Sequence, residues 1–288
     1  MTRLTVLEPG PLTLVEDRGR PGWAHLGVGG SGAADRAALG LANRLVGNAP
    51  QAAALECTVG GLRLRLDDGG WFAVTGAWGE VALDGAPVHP ETATRAAPGA
   101  ELVLPIAAHG LRYVVAVRGG IAVPRVLGSR SRDTLAGLGP APLAAGDVLP
   151  VGDEVAGAIP VVDSLTRWAP VDDEVVAELA PGPRADWFTD AARLALFETD
   201  WRVSPRSDRI GVRLEGPALE RLVPGELASE GVVRGSVQVP PEGTPTVLLA
   251  DHPVTGGYPV IAVVSDASVD RFAQLRPGQT VRFRHGHA

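Results

Sequence analysis

The stretch HLGVGGSGAADRAALGLANRLVGN, residues 25–48, decides the fold class. Gly27, Gly29 and Gly32 stand in G-x-G-x-x-G spacing ahead of an apparent helix, the pattern of a dinucleotide-binding turn. Such a turn needs an apolar strand feeding the first glycine, because it must deliver a pyrophosphate to the helix N-terminus. Here the feeding residues are DRGRPGWAHL, interrupted by Gly19, Pro21 and Gly22, and no strand fits. Asp35, expected in the first helical turn, complements the helix dipole but competes with a bound phosphate. The glycines therefore read as a loop leading into a helix over about Gly32 to Val46. That helix carries Ala34, Ala38, Leu41 and Leu45 on one face and Gly47 as its stop.

Outward from this helix the chain is strands and turns, without the strand–helix alternation of a wound parallel sheet. LRLRL (Leu62 to Leu66) alternates strictly, and WFAVTG, EVALDG, ELVLPI, LRYVVAVRGG, IGVRLEG, TVLLAD, IAVVSD and TVRFR are further short segments between Gly and Pro punctuation. This is the pattern of an all-β barrel or sandwich. Two more helices are expected, about Asp190 to Phe197 after a Thr189 cap, and a short one with Val269 and Phe272 after Ser265 or Asp266. PGAELVL at Pro98, AGDVLPV at Ala145 and PGQTVRF at Pro277 repeat a glycine turn before an apolar strand. Two domains are expected, residues 1–165 with the one clear helix and 166–288 with the ligand site. The junction is placed in AGAIPVVDSLTRWAPVDDE, about Ala156 to Glu174.

Composition removes several functions. With 45% hydrophobic and 20% charged residues and no apolar run approaching roughly 18 residues, a soluble protein without a membrane span is expected. The N-terminal residues break at Pro9, Gly10 and Pro11 before a signal-peptide core forms, and the lone Cys57 forms no internal disulfide, so a cytoplasmic location is expected. The net charge of −7 and the lack of a basic block argue against nucleic acid. No lysine occurs, so all 26 basic residues are arginine. That excludes a Schiff-base lysine, a P-loop lysine and a lysine carrying covalent biotin or lipoate.

Several long motifs, in order along almost the whole chain, resemble one family. They are DRGRPGWAHLGVGGSGAADRAALGLANRLVGN with AAALECTVGG, then RGGIAVPRVLGSRSRDTLAGLG (Arg118 to Gly139), PGPRADWF and SPRSDRIGVRLEG (Ser204 to Gly216). SEGVVRGSVQVPPEGTPTVLLAD and TGGYPVIAVV follow. The chain resembles the family that holds the C subunit of 5-oxoprolinase, allophanate hydrolase subunit 2 and biotin-dependent carboxyltransferase-like proteins. Members often have prolines where this chain has Gly29 and Gly30.

The resemblance implies a mainly β fold of two cyclophilin-like β-barrel subdomains with a few short helices. It implies a B-like partner subunit of similar fold and an A subunit, together an ATP-dependent 5-oxoprolinase that opens 5-oxo-L-proline to L-glutamate. ATP is then used by the complex, on another subunit. Relatives imply two alternatives: a carboxyltransferase of the urea carboxylase or allophanate hydrolase type, with biotin carried on another protein, and a non-catalytic binding protein that antagonises a kinase inhibitor.

Candidate catalytic residues are Asp208, Arg209 and Gln238. In SDRIGVRLEG, Asp208 is expected to orient Arg209, whose planar guanidinium suits the carboxylate of 5-oxoproline; a turn-stabilising ion pair is the other reading. In VQVPPEG, the Gln238 amide is placed to donate to a lactam or ureido carbonyl and to accept from its N–H. Ser207 and the DHPVTGGYPV residues Thr255, Gly256, Gly257 and Tyr258 are candidate substrate-binding groups, through backbone N–H approach and an aromatic wall. Family members commonly have arginine at His252 and threonine at Val254, so no role is assigned to those two. Arg18, Arg20 and His25 read as a solvated loop or a face toward a partner. Cys57 reads as a buried hydrophobe. His285 and His287 have metal-like spacing on an expected disordered tail, and no metal site is assigned.

Overall fold

The computed structural model describes residues 2–160, 174–223, 225 and 227–286. The expected junction between Ala156 and Glu174 falls largely on 161–173, outside the described residues.

The described residues fall into two units. One comprises the chain through Arg20, Ser31–Asp133 and the described residues 137–160; the other takes Pro21–Gly30, Thr134–Ala136 and the described residues from Glu174.

In the first unit the strands form two antiparallel sheets. One has the order 148–150, 3–9, 62–66, 100–104, 82–83, 86–87; the other has 12–16, 54–58, 109–117, 70–78, 94–96. The alternation seen in LRLRL is structural: Leu62, Leu64 and Leu66 are buried while Arg63 and Arg65 are partly exposed. Arg63 reaches Glu8 and Glu101 on its two neighbouring strands. Leu4, Val6, Leu64 and Leu102 of one sheet share a core with Val15, Leu55, Phe72 and Val115 of the other.

Helix α1, Arg36–Leu45, covers the outer face of the second sheet, setting Ala38, Leu39, Ala42 and Leu45 against Ala54, Ala73, Val114 and Ala116. It starts later than the apolar periodicity indicates. Asp35 is its N-cap and accepts from the Ala38 N–H at 2.8 Å, rather than lying in the first turn. The residues before it are held out of the helix because Gly32 has φ +96° and the Ala33 N–H donates to the Asp17 carbonyl at 2.9 Å. Gly47 follows the helix with φ +67°, as expected of a stop.

In the second unit seven strands close into a barrel, in the order 174–181, 260–264, 236–238, 246–248, 211–215, 201–203, 280–285. All neighbours are antiparallel except the closing pair, where Glu174–Leu179 runs parallel to Thr280–His285. The barrel is filled with side chains, among them Val175, Leu179, Trp201, Val237, Val247, Ile261 and Phe283. Helices α2, Asp190–Glu198, and α3, Asp266–Phe272, add Ala192, Leu196, Val269 and Phe272 to that core. Thr189 caps α2 through the Ala192 N–H, and Trp201 Nε1 donates to the Leu196 carbonyl at 3.0 Å. Ser265 precedes α3 at its N-cap position. Among the described residues no helix is long and apolar enough to cross a membrane.

Candidate functional site

The barrel interior is occupied, so chemistry in the second unit must use its strand ends and outer walls. Arg209 lies just before the strand Gly211–Glu215, and burial forces its cation to find an anion. That anion is not Asp208. The guanidinium makes a fork onto Asp251, Nε to Oδ2 at 2.9 Å and a terminal nitrogen to Oδ1 at 3.3 Å, with both side chains at most 2% exposed. Asp208 is exposed and turns instead to its own backbone, accepting from the Ile210 and Gly211 N–H groups at 2.8 and 3.1 Å. Its short side chain reaches those groups two and three residues on more readily than it reaches an adjacent guanidinium. Ser207 is likewise engaged locally, donating to the Ser204 carbonyl and accepting from the Arg213 N–H.

Asp251 has a further duty that spacing does not reveal. Its Oδ2 accepts from both the backbone N–H and the hydroxyl of Thr134, at 3.0 and 2.7 Å, so Arg209, Asp251 and Thr134 form one tie across 117 residues of sequence.

Gln238 lies elsewhere. Its backbone faces Thr246, whereas Asp251 donates its N–H to the Arg209 carbonyl, beyond the other end of the strand Thr246–Leu248. Thr246 and Asp251 are five residues apart, the strand ending at Leu248 and Ala250 and Asp251 lying in a turn, so the two contacts sit toward opposite ends of that strand. The Gln238 amide is 6% exposed and donates Nε2 to the Tyr258 carbonyl at 3.2 Å. A Cβ on Gly256 would come within 2.4 Å of that nitrogen, so the glycine is what admits the amide. Thr255–Gly256 pairs with Glu230–Gly231, and Arg184 forks onto Glu230, holding its carboxyl below the usual range by hydrogen bonding. Thr255, Gly257 and Tyr258 are exposed. The eight predicted residues therefore divide: Ser207, Asp208 and Arg209 at one level, Gln238 and Thr255 to Tyr258 at the other.

The first unit contains a polar cluster that motif reading misses. Asp17 is 4% exposed, and its Oδ1 accepts from the Ser129 hydroxyl, the Ser131 hydroxyl and the Gly19 N–H at 2.6, 2.6 and 2.8 Å; its Oδ2 accepts from the Arg130 N–H at 2.6 Å. Arg20, expected on a solvated loop or facing a partner, is instead fully buried. It donates to the Ser131 carbonyl and lies 3.9 Å from Asp133. Arg18 and His25 are exposed as expected. Gly32 belongs to the same packing: an added Cβ would sit 2.8 Å from the Gly19 nitrogen. The close approach this glycine permits is thus taken by the chain's own backbone, and no pyrophosphate fits there. A second buried pair, Glu56 with Arg112, lies on the sheet beneath α1, where Glu56 accepts from the Ala34 N–H at 2.7 Å. The trace of the Asp17 cluster in the sequence is the run of polar residues in DRGR and SRSRD; the Glu56–Arg112 pair leaves none.

Cys57 is fully buried, and burial pushes its thiol pKa up, which suits a hydrophobe and not a nucleophile. His285 departs from the expected frayed tail. It ends the strand Thr280–His285 and stacks on Phe197 with ring centroids 3.9 Å apart; His287 lies outside the described residues. Among the described residues no group of three or more His, Cys, Asp or Glu is placed to hold a metal. A cleft of about 450 Å³ opens outside the barrel beside α2, and none of the eight predicted residues lines it.

Known proteins resemble this chain in sequence and fold. The model of the carboxyltransferase domain, subdomains A and B, matches residues 26–285. The chain is 39% identical to the C subunit of the Escherichia coli 5-oxoprolinase, over 97% of this chain and 90% of that protein. It is 34% identical to the Haemophilus influenzae protein of the same name, over the same shares. A urea amidolyase of Lachancea kluyveri is 29% identical over 96% of this chain, which spans only 16% of that enzyme. Among solved structures, the Kluyveromyces lactis urea carboxylase superposes with TM-score 0.89 at 29% identity, over 98% of this chain and 27% of its own. Another, 37% identical with TM-score 0.87, is spanned by this chain over 55% of its length. The chain belongs to the carboxyltransferase-domain family, subdomains A and B.

Proposed function

We propose that this chain is the C subunit of an ATP-dependent 5-oxoprolinase, opening 5-oxo-L-proline to L-glutamate together with A and B subunits in the cytoplasm. The observation that carries this reading is its 39% identity over 90% of a protein named for that role. The reaction adds water to the lactam carbonyl and breaks the ring C–N bond, the nitrogen leaving as the amine of glutamate. Amide resonance is lost on the way, and charge gathers on the carbonyl oxygen, which must meet donors already in place.

On this chain the exposed Thr255, Gly257 and Tyr258 are the groups proposed to touch substrate. Gln238 acts by fixing the Tyr258 carbonyl, and Arg209 by holding Asp251 and through it Thr134; Asp208 and Ser207 shape the turn that presents Arg209. Gly256 admits the Gln238 amide. ATP is assigned to another subunit, since a lysine-free chain has no P-loop lysine, and biotin enters only if another protein carries it.

The likeness to urea amidolyase favours a second reading, carboxyl transfer to a urea-like amide. Offering the chain, with A and B subunits, 5-oxoproline and ATP in one reaction, and urea with a carboxylated biotin carrier in another, separates the two. Glutamate in the first and no carboxylated urea in the second is expected; the reverse pattern overturns the proposal.

A further inference from the structure

We propose that the cleft beside α2 is a second ligand site, for a compact amphipathic anion: an aryl or short alkyl body bearing a carboxylate or similar head. Helix α2 buries Ala192 and Leu196 in the barrel core but leaves Leu194 56% exposed. A single exposed leucine means little. This one, however, joins Leu179, Pro181 and Ile261 from two paired barrel strands in lining a concavity of about 450 Å³. That size and composition fall within the range of small-molecule sites, about 300–1,000 Å³ and mostly apolar. Phe197 and His285, stacked on each other at 3.9 Å with their planes 24° apart, add aromatic surface to the lining.

The head group is assigned to Arg193, which also lines the cleft. Its partner is Asp190, three residues back, and the two side chains are 44% and 93% exposed. An ion pair so open to water is weak, so a ligand anion exchanges for Asp190 at little cost. The 5-oxoproline ring, polar around its edge, is a poor match for this lining, and the residues proposed to contact it lie elsewhere. The site is therefore additional to the lactam site and independent of that reading.

Two fluorescent probes test it on the full chain: anilinonaphthalene sulfonate, and the uncharged phenylnaphthylamine. Wild type should bind both, the sulfonate tighter by about threefold to tenfold. Leu194→Glu, a change at an exposed position, should weaken both by about tenfold or more. Arg193→Ala should abolish the preference for the sulfonate while leaving phenylnaphthylamine binding unchanged. Leu222→Glu, at a 59% exposed leucine outside the cleft, should alter neither. The proposal is overturned if wild type binds neither probe, if Leu194→Glu titrates like wild type, if Leu222→Glu loses as much, or if Arg193→Ala keeps the preference.

Discussion

Two buried carboxylates, Asp251 in the barrel and Asp17 in the first unit, are satisfied differently. In the barrel, a fork between Arg209 and Asp251 ties the residues before one strand to the loop after its neighbour and to Thr134. In the first unit, Asp17 gathers two hydroxyls and two backbone N–H groups and needs no cation, although Glu56 and Asp133 of the same unit do face the buried Arg112 and Arg20. Asp17 spreads its charge over four neutral donors, whereas Asp251 also balances a buried cation that has to be neutralised. Removing either carboxylate should therefore fail in different ways.

The largest effect is expected from Asp251→Ala, which strands the Arg209 cation and should cost about 3–5 kcal/mol. Hydrogen exchange should show faster opening at 209–211 and at 134–136, with the strands of the first unit unchanged. Equal opening in both units would break the contrast. Next, Asp17→Ala leaves the Ser129 and Ser131 hydroxyls without their acceptor and should cost about 2–3 kcal/mol, with exchange rising at 17–20 and 129–133 and not in the barrel. Gly32→Ala should cost about 1–3 kcal/mol, since φ +96° and contact with the Gly19 nitrogen both oppose a side chain; a neutral result in denaturant unfolding would mean the 17–19 backbone yields freely.

The smallest effect belongs to Arg282, exposed on the strand Thr280–His285 and bonded to Asp200 and Glu174. Its hydrogen bonds hold the Asp200 carboxyl below the usual range. A depressed carboxylate contributes stability above its unfolded pKa, about 3.9, and loses it as pH falls through the folded value. The gap between wild type and Arg282→Ala should thus be small at neutral pH, narrow as pH falls below about 4, and shrink in salt. A gap that grows in acid would contradict this sign.

Much of the fold is legible in the sequence because it is local. LRLRL alternates with the pleat, Thr189 caps α2, and Gly47 ends α1, each within a few residues. The early start expected for α1 shows where locality stops: Ala33 and Ala34 are good helix formers, yet their backbone is claimed by Asp17 and Glu56 from elsewhere in the unit. The site follows the same rule. Gln238, Gly256 and Tyr258 are legible from turn chemistry and do meet, across neighbouring stretches of chain. Arg209 is legible too, but local reading matches it to the adjacent Asp208, because nothing in its vicinity announces a partner 42 residues away. Arg20 reads as a loop residue for the same reason, since Ser131, whose carbonyl accepts its hydrogen bond, lies 111 residues along the chain.

The functional account is tested most directly by titrating this chain into fixed amounts of A and B subunits and following glutamate released from 5-oxoproline alongside ATP consumption. The account predicts no glutamate without the chain and a rate that rises to a plateau as it is added, with ring opening and ATP loss in step. Full glutamate production by A and B alone, unchanged by any amount of this chain, would contradict it.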